Sequence, residues 1–257
     1  MKYRIREGHI IFELFEPPKD KDIKKGVIVF PGLPNQPRNE DFGENLSSEG
    51  FWVLQPRYIG SWESYGTFCM KDCIKTVIES EKLFLKGRTR ELWGDKEISW
   101  DLEDIFLISS SFGSAVVLSA LSQIKSKKII CLAPLTNLDK HNSEKNIEEQ
   151  DLFELGLFIK RGFENAFRGF SLGEWKEFIT GKTEINPIKY VSLVNNKRVL
   201  IVHGDADKVI NISRSEEYYK AIGKKNKTDF KKYPGVGHGK EIKNASFDFI
   251  LKWMKNN

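Results

Sequence analysis

The sequence has few of the residues that stabilise secreted or metal-dependent proteins. Only three cysteines occur among 257 residues, Cys69, Cys73 and Cys131. Cys69 and Cys73 lie one helical turn apart, which is too close for an unstrained disulfide on a helix, and they lack the partners of a zinc site. We therefore expect three reduced thiols in apolar surroundings, no bound metal and a cytoplasmic protein.

Long apolar runs and a strong charge of one sign are also absent. No segment of about 18 apolar residues occurs, so we expect no membrane span. The first nine residues hold no apolar segment, so we expect no signal peptide. The 41 basic and 36 acidic residues leave a net charge of only +5, carried mostly by scattered lysines. This pattern argues against a nucleic-acid partner, and we expect the lysine-rich stretch 224–227 to be a solvated loop.

What the chain does have is the composition of an α/β protein. Hydrophobic residues make up 40% of the sequence and aromatic residues 12%, enough for one domain with an insertion. Residues 2–7 and 9–15 predict an antiparallel hairpin. Beyond it, short apolar strands alternate with helical patterns, which indicates a mostly parallel sheet covered by helices on both faces. The predicted strands are 26–30, 51–55, 105–110, 128–134, 198–203 and 228–233, and the predicted helices are 38–49, 68–86, 112–124, 213–222 and 240–255.

The strand and helix alternation is interrupted twice. Residues 87–103 form a polar connection or small hairpin in which we expect Trp93 and Trp100 to be partly exposed. Residues 135–194 hold helical patterns over 147–168 and 171–180 and many aromatic side chains. We therefore predict a core domain made of 1–134 and 195–257, with a helical cap or lid inserted at 135–194.

The most informative stretch is the strand that runs into Ser109-Ser110-Ser111-Phe112-Gly113 and then into a helix. Small residues two positions before and after Ser111 match a variant of the Gly-x-Ser-x-Gly nucleophile elbow, in which a sharp turn exposes the central serine. By itself the motif is weak, because serine is also a common helix N-cap. The rest of the site must therefore support it.

Suitable partners for Ser111 follow two other predicted strands. Asp205 and Asp207 come after strand 198–203, and His238 comes after strand 228–233. In a parallel sheet these strand ends lie at one edge, where ligands bind. A serine hydroxyl needs a base such as histidine, and a carboxylate orients that base. The residues themselves leave Asp205 and Asp207 both open as the acid.

The remaining histidines have less support. We expect His203 to be structural, supporting the loop that carries the acid. His9 and His141 have no partners in the sequence pattern, and we expect both at the surface.

Three motifs together resemble the α/β-hydrolase superfamily, in its dienelactone-hydrolase and prolyl-oligopeptidase-like esterase branch. They are Ser109-x-Ser111-x-Gly113, His203-Gly204-x-x-Asp207-x-x-Ile210 and Gly237-His238-Gly239, and the loop from Pro56 to Gly66 is also similar to that branch. The resemblance implies the α/β-hydrolase fold: a mostly parallel central sheet with antiparallel N-terminal edge strands, helices on both faces and a helical cap insertion.

The resemblance also implies site residues. It selects Asp207 as the acid beside Ser111 and His238. It implies that the backbone N–H groups of Phe112 and Leu33 form an oxyanion hole. This chain has Pro31-Gly32 where the family often has His-Gly, which makes Leu33 the less certain of the two donors.

The expected activity is hydrolysis of carboxylic esters with short to medium acyl groups, through an acyl-serine intermediate and without metal or organic cofactor. The substrate would be a small ester or a short peptide. Cleavage of small peptides or thioesters by the same residues, and a non-catalytic binding protein on this fold, are the alternatives. The aromatic residues of 135–194 would either wall the acyl pocket or only pack the cap. Arg57 and Tyr58 would either line the pocket or form an ordinary surface pair.

Overall fold

An eight-stranded sheet runs through the chain. The computed structural model describes residues 1–36, 41–141, 147–223 and 227–257. The sheet has the order β1-β2-β4-β3-β7-β8-β9-β10, and only the β1–β2 and β2–β4 pairs are antiparallel. The mostly parallel sheet with an antiparallel N-terminal edge is therefore confirmed. Its strands are β1 (Lys2–Glu7), β2 (Ile10–Phe15), β3 (Lys25–Phe30), β4 (Trp52–Pro56), β7 (Asp104–Ser110), β8 (Lys128–Leu132), β9 (Arg198–Gly204) and β10 (Thr228–Tyr233).

Helices cover both faces of the sheet because the central strands are apolar on both sides. Successive side chains of a strand point to opposite faces. In β3, Val27 and Val29 join the core beneath helices α1 and α7, whereas Ile28 and Phe30 join the core beneath α2, α3 and α6. The helices are α1 (Asp41–Ser48), α2 (Met70–Lys86), α3 (Phe112–Ser119), α4 (Leu152–Gly162), α5 (Leu172–Ile179), α6 (Ile212–Ile222) and α7 (Lys240–Asn256).

The bounds of two helices differ clearly from expectation. Helix α3 ends at Ser119 rather than near residue 124. The pattern over 147–168 is helical only from Leu152 to Gly162, because the Asp151 carboxylate accepts the N–H groups of the first turn and fixes the start. Residues 38–40 of the first predicted helix, and 224–226 of the predicted lysine-rich loop, lie outside the described residues.

The segment between β8 and β9 is helical and aromatic, and four of its rings pack against the body of the protein, whereas Phe158 is exposed. Phe167, Phe170, Trp175 and Phe178 are fully buried in the same core as Phe112. These rings therefore attach α4, α5 and a 3₁₀ segment (Pro187–Asn196) to the sheet layer. The assignment of 135–194 as a lid stays a prediction.

Backbone hydrogen bonds join this segment to the loop after β4. Trp62 N donates to Ala166 O at 2.6 Å, Arg168 N to Gly60 O at 2.9 Å, and Phe68 N to Arg168 O at 2.8 Å. The Arg168 guanidinium also donates to two carbonyls of the same loop. We call these paired stretches, 60–68 and 166–168, the seam.

Residues 87–103 contain the small hairpin that the sequence allowed. It consists of β5 (Arg88–Arg90) and β6 (Glu97–Ser99), which pair antiparallel. Trp93 at its turn is 81% exposed, whereas Trp100 is buried and donates its indole N–H to Phe84 O at 2.8 Å. The expectation of partial exposure was wrong for both tryptophans. Among the described helices, none has the length and apolar character needed to cross a bilayer.

Candidate active site

Ser111 lies at a sharp turn between β7 and α3. Its backbone angles, φ +53° and ψ −121°, are ones that residues other than glycine seldom adopt. Ser111 N donates to Leu132 O at 3.0 Å on the neighbouring strand end, and Ser111 O accepts from Ser114 N at 3.0 Å in the helix. Sheet and helix together therefore hold the residue in its strained conformation.

Two glycines let the end of β3 pack against this turn. A Cβ atom on Gly113 would lie only 2.5 Å from Pro31 O and 2.6 Å from Phe30 O. A Cβ atom on Gly32 would lie 3.0 Å from Ser111 Cβ. Because no larger side chain fits at 113, the small-x-Ser-x-Gly spacing is explained by the close approach of α3 to the loop after β3.

Asp207 and His238 form a short hydrogen bond between the loops after β9 and β10. His238 Nδ1 donates to Asp207 Oδ2 at 2.6 Å. The other carboxylate oxygen, Oδ1, accepts Val209 N at 2.8 Å and Ile210 N at 2.9 Å. Because Nδ1 carries the hydrogen of this bond, Nε2 of the neutral ring is left with its lone pair. His238 is thus oriented and can act as a base.

The Asp207 carboxylate is held ionised. Burial alone would raise its pKa, but the hydrogen bonds from His203, His238 and the Ile210 backbone outweigh burial and hold the pKa well below its ordinary value of 3.8. A carboxylate that keeps its charge can stabilise an imidazolium on its neighbour.

Asp205 has a different role. Its Oδ1 accepts Gly235 N at 2.7 Å, and Lys232 Nζ lies 3.8 Å from its Oδ2. Asp205 therefore fastens the turn after β10, and the carboxylate that meets His238 is Asp207.

A second imidazole lies behind Asp207. The side chain of His203, at the end of β9, is fully buried, and its Nε2 is 2.9 Å from Ile210 O and 3.2 Å from Asp207 Oδ2. Its Nδ1 is 2.7 Å from Ser215 Oγ in α6. His203 supports the acid loop, as the sequence predicted.

A buried ion pair connects helix α6 to the segment between β8 and β9. Arg214 donates to both carboxylate oxygens of Glu149, at 3.0 and 2.9 Å. His141 lies beside this pair, with Nε2 2.9 Å from Gln150 O, and burial lowers its pKa. The expectation that His141 is a surface residue was wrong, because its partners come from sequence positions that no local pattern joins to it. His9 is exposed, as expected.

Ser111 and His238 line one cavity of about 700 Å³. Its walls come from the loop 31–36, the start of α1, residues 132 and 133 after β8, and the start of α7. No described residue of the 135–194 segment lines this cavity; that its aromatic residues form a wall of the acyl pocket stays a prediction. Among the described residues no hydrogen bond joins the Ser111 hydroxyl to His238.

The two predicted backbone donors flank Ser111. Phe112 begins α3 directly after it, and Leu33 follows Gly32 on the cavity wall. Neither N–H donates to another group in the described part of the chain. Leu33 lines the cavity, and the role of both N–H groups as oxyanion donors stays a prediction.

Tyr58 supports the loop that carries Leu33. Its hydroxyl donates to Pro31 O at 3.1 Å, and its ring packs edge-to-face on Phe112 with centroids 5.7 Å apart. The preceding Arg57 is also buried, where it pairs with Glu13 Oε1 at 2.7 Å. The expectation of a surface pair was therefore wrong. Sequence analysis missed the support that Tyr58 gives, although the position of Tyr58 just after β4, at the ligand-binding edge of the sheet, was a usable signal.

The described residues contain no group of three or more His, Cys, Asp or Glu side chains placed to hold a metal ion. The three thiols are free, as predicted, and burial raises the pKa of Cys131 to about 12. The expectation that no metal or organic cofactor takes part stays a prediction.

Comparisons with known proteins give likeness in structure only. No family model matches the chain, and no curated protein matches its sequence. Among solved structures, the chain is similar to Est1E from Butyrivibrio proteoclasticus in a complex with ferulic acid, at 18% identity and a TM-score of 0.68 over 98% of both chains. It is similar to a monoacylglycerol lipase from Paleococcus ferrophilus, at 17% identity and a TM-score of 0.60 over 96% of this chain and 98% of that one.

A third likeness is to an acylaminoacyl peptidase from Pyrococcus horikoshii, at 13% identity and a TM-score of 0.64. It covers 99% of this chain and 41% of that one. The sheet order, the turn at Ser111 and these likenesses agree with the family resemblance of the three motifs: the chain has the α/β-hydrolase fold.

Proposed function

We propose that the protein is a serine hydrolase that cleaves carboxylic esters through an acyl-Ser111 intermediate. The observation that carries the proposal is the 2.6 Å bond between Asp207 and His238, in a cavity that Ser111 also lines. A buried carboxylate bound to a partly buried histidine, which lines a cavity together with a strained serine, supports acyl transfer.

In the first step Ser111 Oγ attacks the ester carbonyl carbon, and His238 Nε2 takes the hydroxyl proton. The hydroxyl must come within hydrogen-bond reach of Nε2 when substrate binds, since catalytic contacts often tighten only then. Asp207 remains ionised and stabilises the imidazolium. The negative charge on the former carbonyl oxygen is held by the N–H groups of Phe112 and Leu33.

In the second step the bond between the carbonyl carbon and the alcohol oxygen breaks, and His238 returns its proton to the departing alcohol. Water then repeats the sequence: it loses a proton to His238 and attacks the acyl carbon, the bond from that carbon to Ser111 Oγ breaks, and His238 returns the proton to Oγ as the carboxylic acid leaves. No further reactant is needed.

The cavity favours compact esters. Its volume of about 700 Å³ and its mixed lining, with Leu33 and Phe42 beside Asn45 and Asn244, suit short to medium acyl groups. The likeness to an acylaminoacyl peptidase gives amide cleavage as the second candidate. A series of p-nitrophenyl esters of rising chain length, assayed beside aminoacyl p-nitroanilides, separates the two, and we expect the short and medium esters to be cleaved fastest.

The decisive test is labelling with a fluorophosphonate, whose phosphorus forms a bond to an activated serine oxygen while fluoride leaves. We expect stoichiometric labelling at Ser111 and none in Ser111→Ala, with ester turnover reduced on the order of 10⁴-fold or more in that variant. Ser110→Ala is the matched control and should retain labelling. A folded protein that resists the probe, or reacts equally well as Ser111→Ala, would be a binding protein on this fold rather than a hydrolase.

A further inference from the structure

We propose that His203 is a positioning residue for catalysis: its Nε2–H, fixed by Ser215, fills the last acceptor position of the Asp207 carboxylate and holds Oδ2 toward His238. This inference rests on the proposed function, and it adds the positioning residues His203 and Ser215 to the three proposed catalytic residues Ser111, His238 and Asp207.

Chemistry decides which nitrogen of His203 carries hydrogen. Nε2 lies 2.9 Å from Ile210 O and 3.2 Å from Asp207 Oδ2. A carbonyl oxygen and an ionised carboxylate can only accept, so Nε2 carries the hydrogen; it donates to Ile210 O, with Asp207 Oδ2 as the second and more distant acceptor. Nδ1 of the neutral ring then accepts the hydroxyl of Ser215, at 2.7 Å. Ile210 O therefore sets the tautomer of the ring, and Ser215 holds its orientation.

Counting acceptor positions shows why this donor matters. An ionised carboxylate offers about four lone-pair positions. Val209 N and Ile210 N occupy two on Oδ1, and His238 Nδ1 and His203 Nε2 share Oδ2. The Asp207 side chain is completely buried, so water cannot replace a lost donor. Without His203, one lone pair of a buried charge is unsatisfied, and one of the four donors that hold the carboxylate toward His238 is lost.

Loop support alone would be a different role. If His203 served only to close the loop through Ile210 O, its loss would lower stability while the folded fraction kept its turnover. A positioning role instead lowers kcat at unchanged KM, since Asp207 and His238 act on the transition state and not on substrate binding. The two roles therefore give separable results.

The experiment compares four variants of the full chain. His203→Gln places an amide N–H near the position of Nε2, whereas His203→Leu removes every donor. Ser215→Ala keeps the ring but releases Nδ1, and it serves as the milder test should His203→Leu not fold. Ser213→Ala is the matched control on the same helix, because the Ser213 hydroxyl is buried with no hydrogen-bond partner in the described structure.

We expect kcat to fall about 10- to 100-fold in His203→Leu, the size of one hydrogen bond to a buried charge. Ser215→Ala should lose about 3- to 10-fold, with KM within about twofold of wild type throughout. His203→Gln should recover most of the loss, and Ser213→Ala should match wild type. The rate of fluorophosphonate labelling should follow kcat.

Proton NMR gives a readout that does not depend on substrate. The short His238–Asp207 bond predicts a low-field imidazole N–H resonance in the wild type. That resonance should persist in His203→Gln and Ser213→Ala, and should broaden or move upfield in His203→Leu and Ser215→Ala.

Failure of the inference and failure of the proposed function look different. If the fluorophosphonate does not label the wild-type protein, the proposed function is wrong and this inference fails with it. If the probe labels wild type at Ser111, but a folded His203→Leu or Ser215→Ala variant keeps both its kcat and its low-field resonance, only the role of His203 is overturned. Equal loss in His203→Gln and His203→Leu would also overturn it, because the Nε2 donor would then not be the cause.

Discussion

Replacing Ser111 by glycine should stabilise the protein while destroying its proposed activity. The backbone at Ser111 has φ +53° and ψ −121°, a conformation that costs a residue with a Cβ atom about 1–3 kcal/mol and that glycine adopts freely. The suitable reference is Ser111→Ala, because both variants lack the hydroxyl and only alanine keeps the strain.

The expected difference is worked out from three contributions. Release of strain gains about 2 kcal/mol. The greater freedom of glycine in the unfolded chain costs about 0.5–1 kcal/mol. The lost Cβ of a half-buried residue costs about 0.4 kcal/mol. Ser111→Gly should therefore exceed Ser111→Ala by about 1 kcal/mol in the free energy of unfolding, or about 2–4 °C in the thermal midpoint.

Ser110 provides the control one residue earlier. It lies in the last position of β7, is buried and has no positive φ. The free energy of unfolding of Ser110→Gly should therefore be about 0.5–1 kcal/mol lower than that of Ser110→Ala. Urea and thermal unfolding of the four variants, followed by circular dichroism, gives both differences. If glycine is the less stable residue at 111 as well as at 110, Ser111 is not strained and the reasoning about the turn is wrong.

Three further predictions concern Asp207 and the loop that carries Leu33. Asp207→Asn should lower kcat about 10⁴-fold, because an amide cannot hold the same tautomer of the base, and Asp205→Asn should lose less than tenfold; a larger loss in Asp205→Asn in steady-state assays would reverse the assignment. Because the folded-state pKa of Asp207 is depressed, its contribution to stability is fully present above about pH 4–5 and is lost as pH falls through and below about 4. The free energy of unfolding should therefore fall more steeply from pH 6 to pH 3 in wild type than in Asp207→Asn. Parallel curves for the two proteins would contradict this. Tyr58→Phe removes the hydroxyl that holds Pro31 O and should lower kcat about 5- to 15-fold at constant KM, whereas Tyr65→Phe, at an exposed tyrosine, should leave kcat unchanged; a Tyr58→Phe enzyme with wild-type kcat would show that the loop holds its shape unaided.

The elements that the sequence predicted well are those whose signal is local. Uninterrupted apolar strands predicted the central sheet, and alternation with helices predicted that the sheet is mostly parallel. Because the carboxyl ends of parallel strands lie at one edge of the sheet, Ser111, Asp207 and His238 are expected close together. In the structure Asp207 contacts His238, and His238 lines the same cavity as Ser111.

What sequence reasoning missed depends on partners far apart in the chain. Arg57 looked like a surface cation, but Glu13, 44 residues earlier, neutralises it inside the protein. His141 is buried because Glu149 and Arg214 meet there, and the seam arises from backbone groups that carry no side-chain signal. Only the folded arrangement shows which of the many aromatic rings pack against the core and which charges are paired.

The seam has a consequence for exchanging parts between hydrolases of this fold. Residues 135–194 depend on the loop 60–68, because main-chain N–H and C=O groups of the two stretches form hydrogen bonds with one another. A chimaera that replaces only 135–194 would leave the N–H of Trp62 and Phe68 and the carbonyl of Gly60 to find new partners. The transferable unit is therefore the segment 135–194 together with its facing loop 60–68, two pieces separated by the 66 residues 69–134.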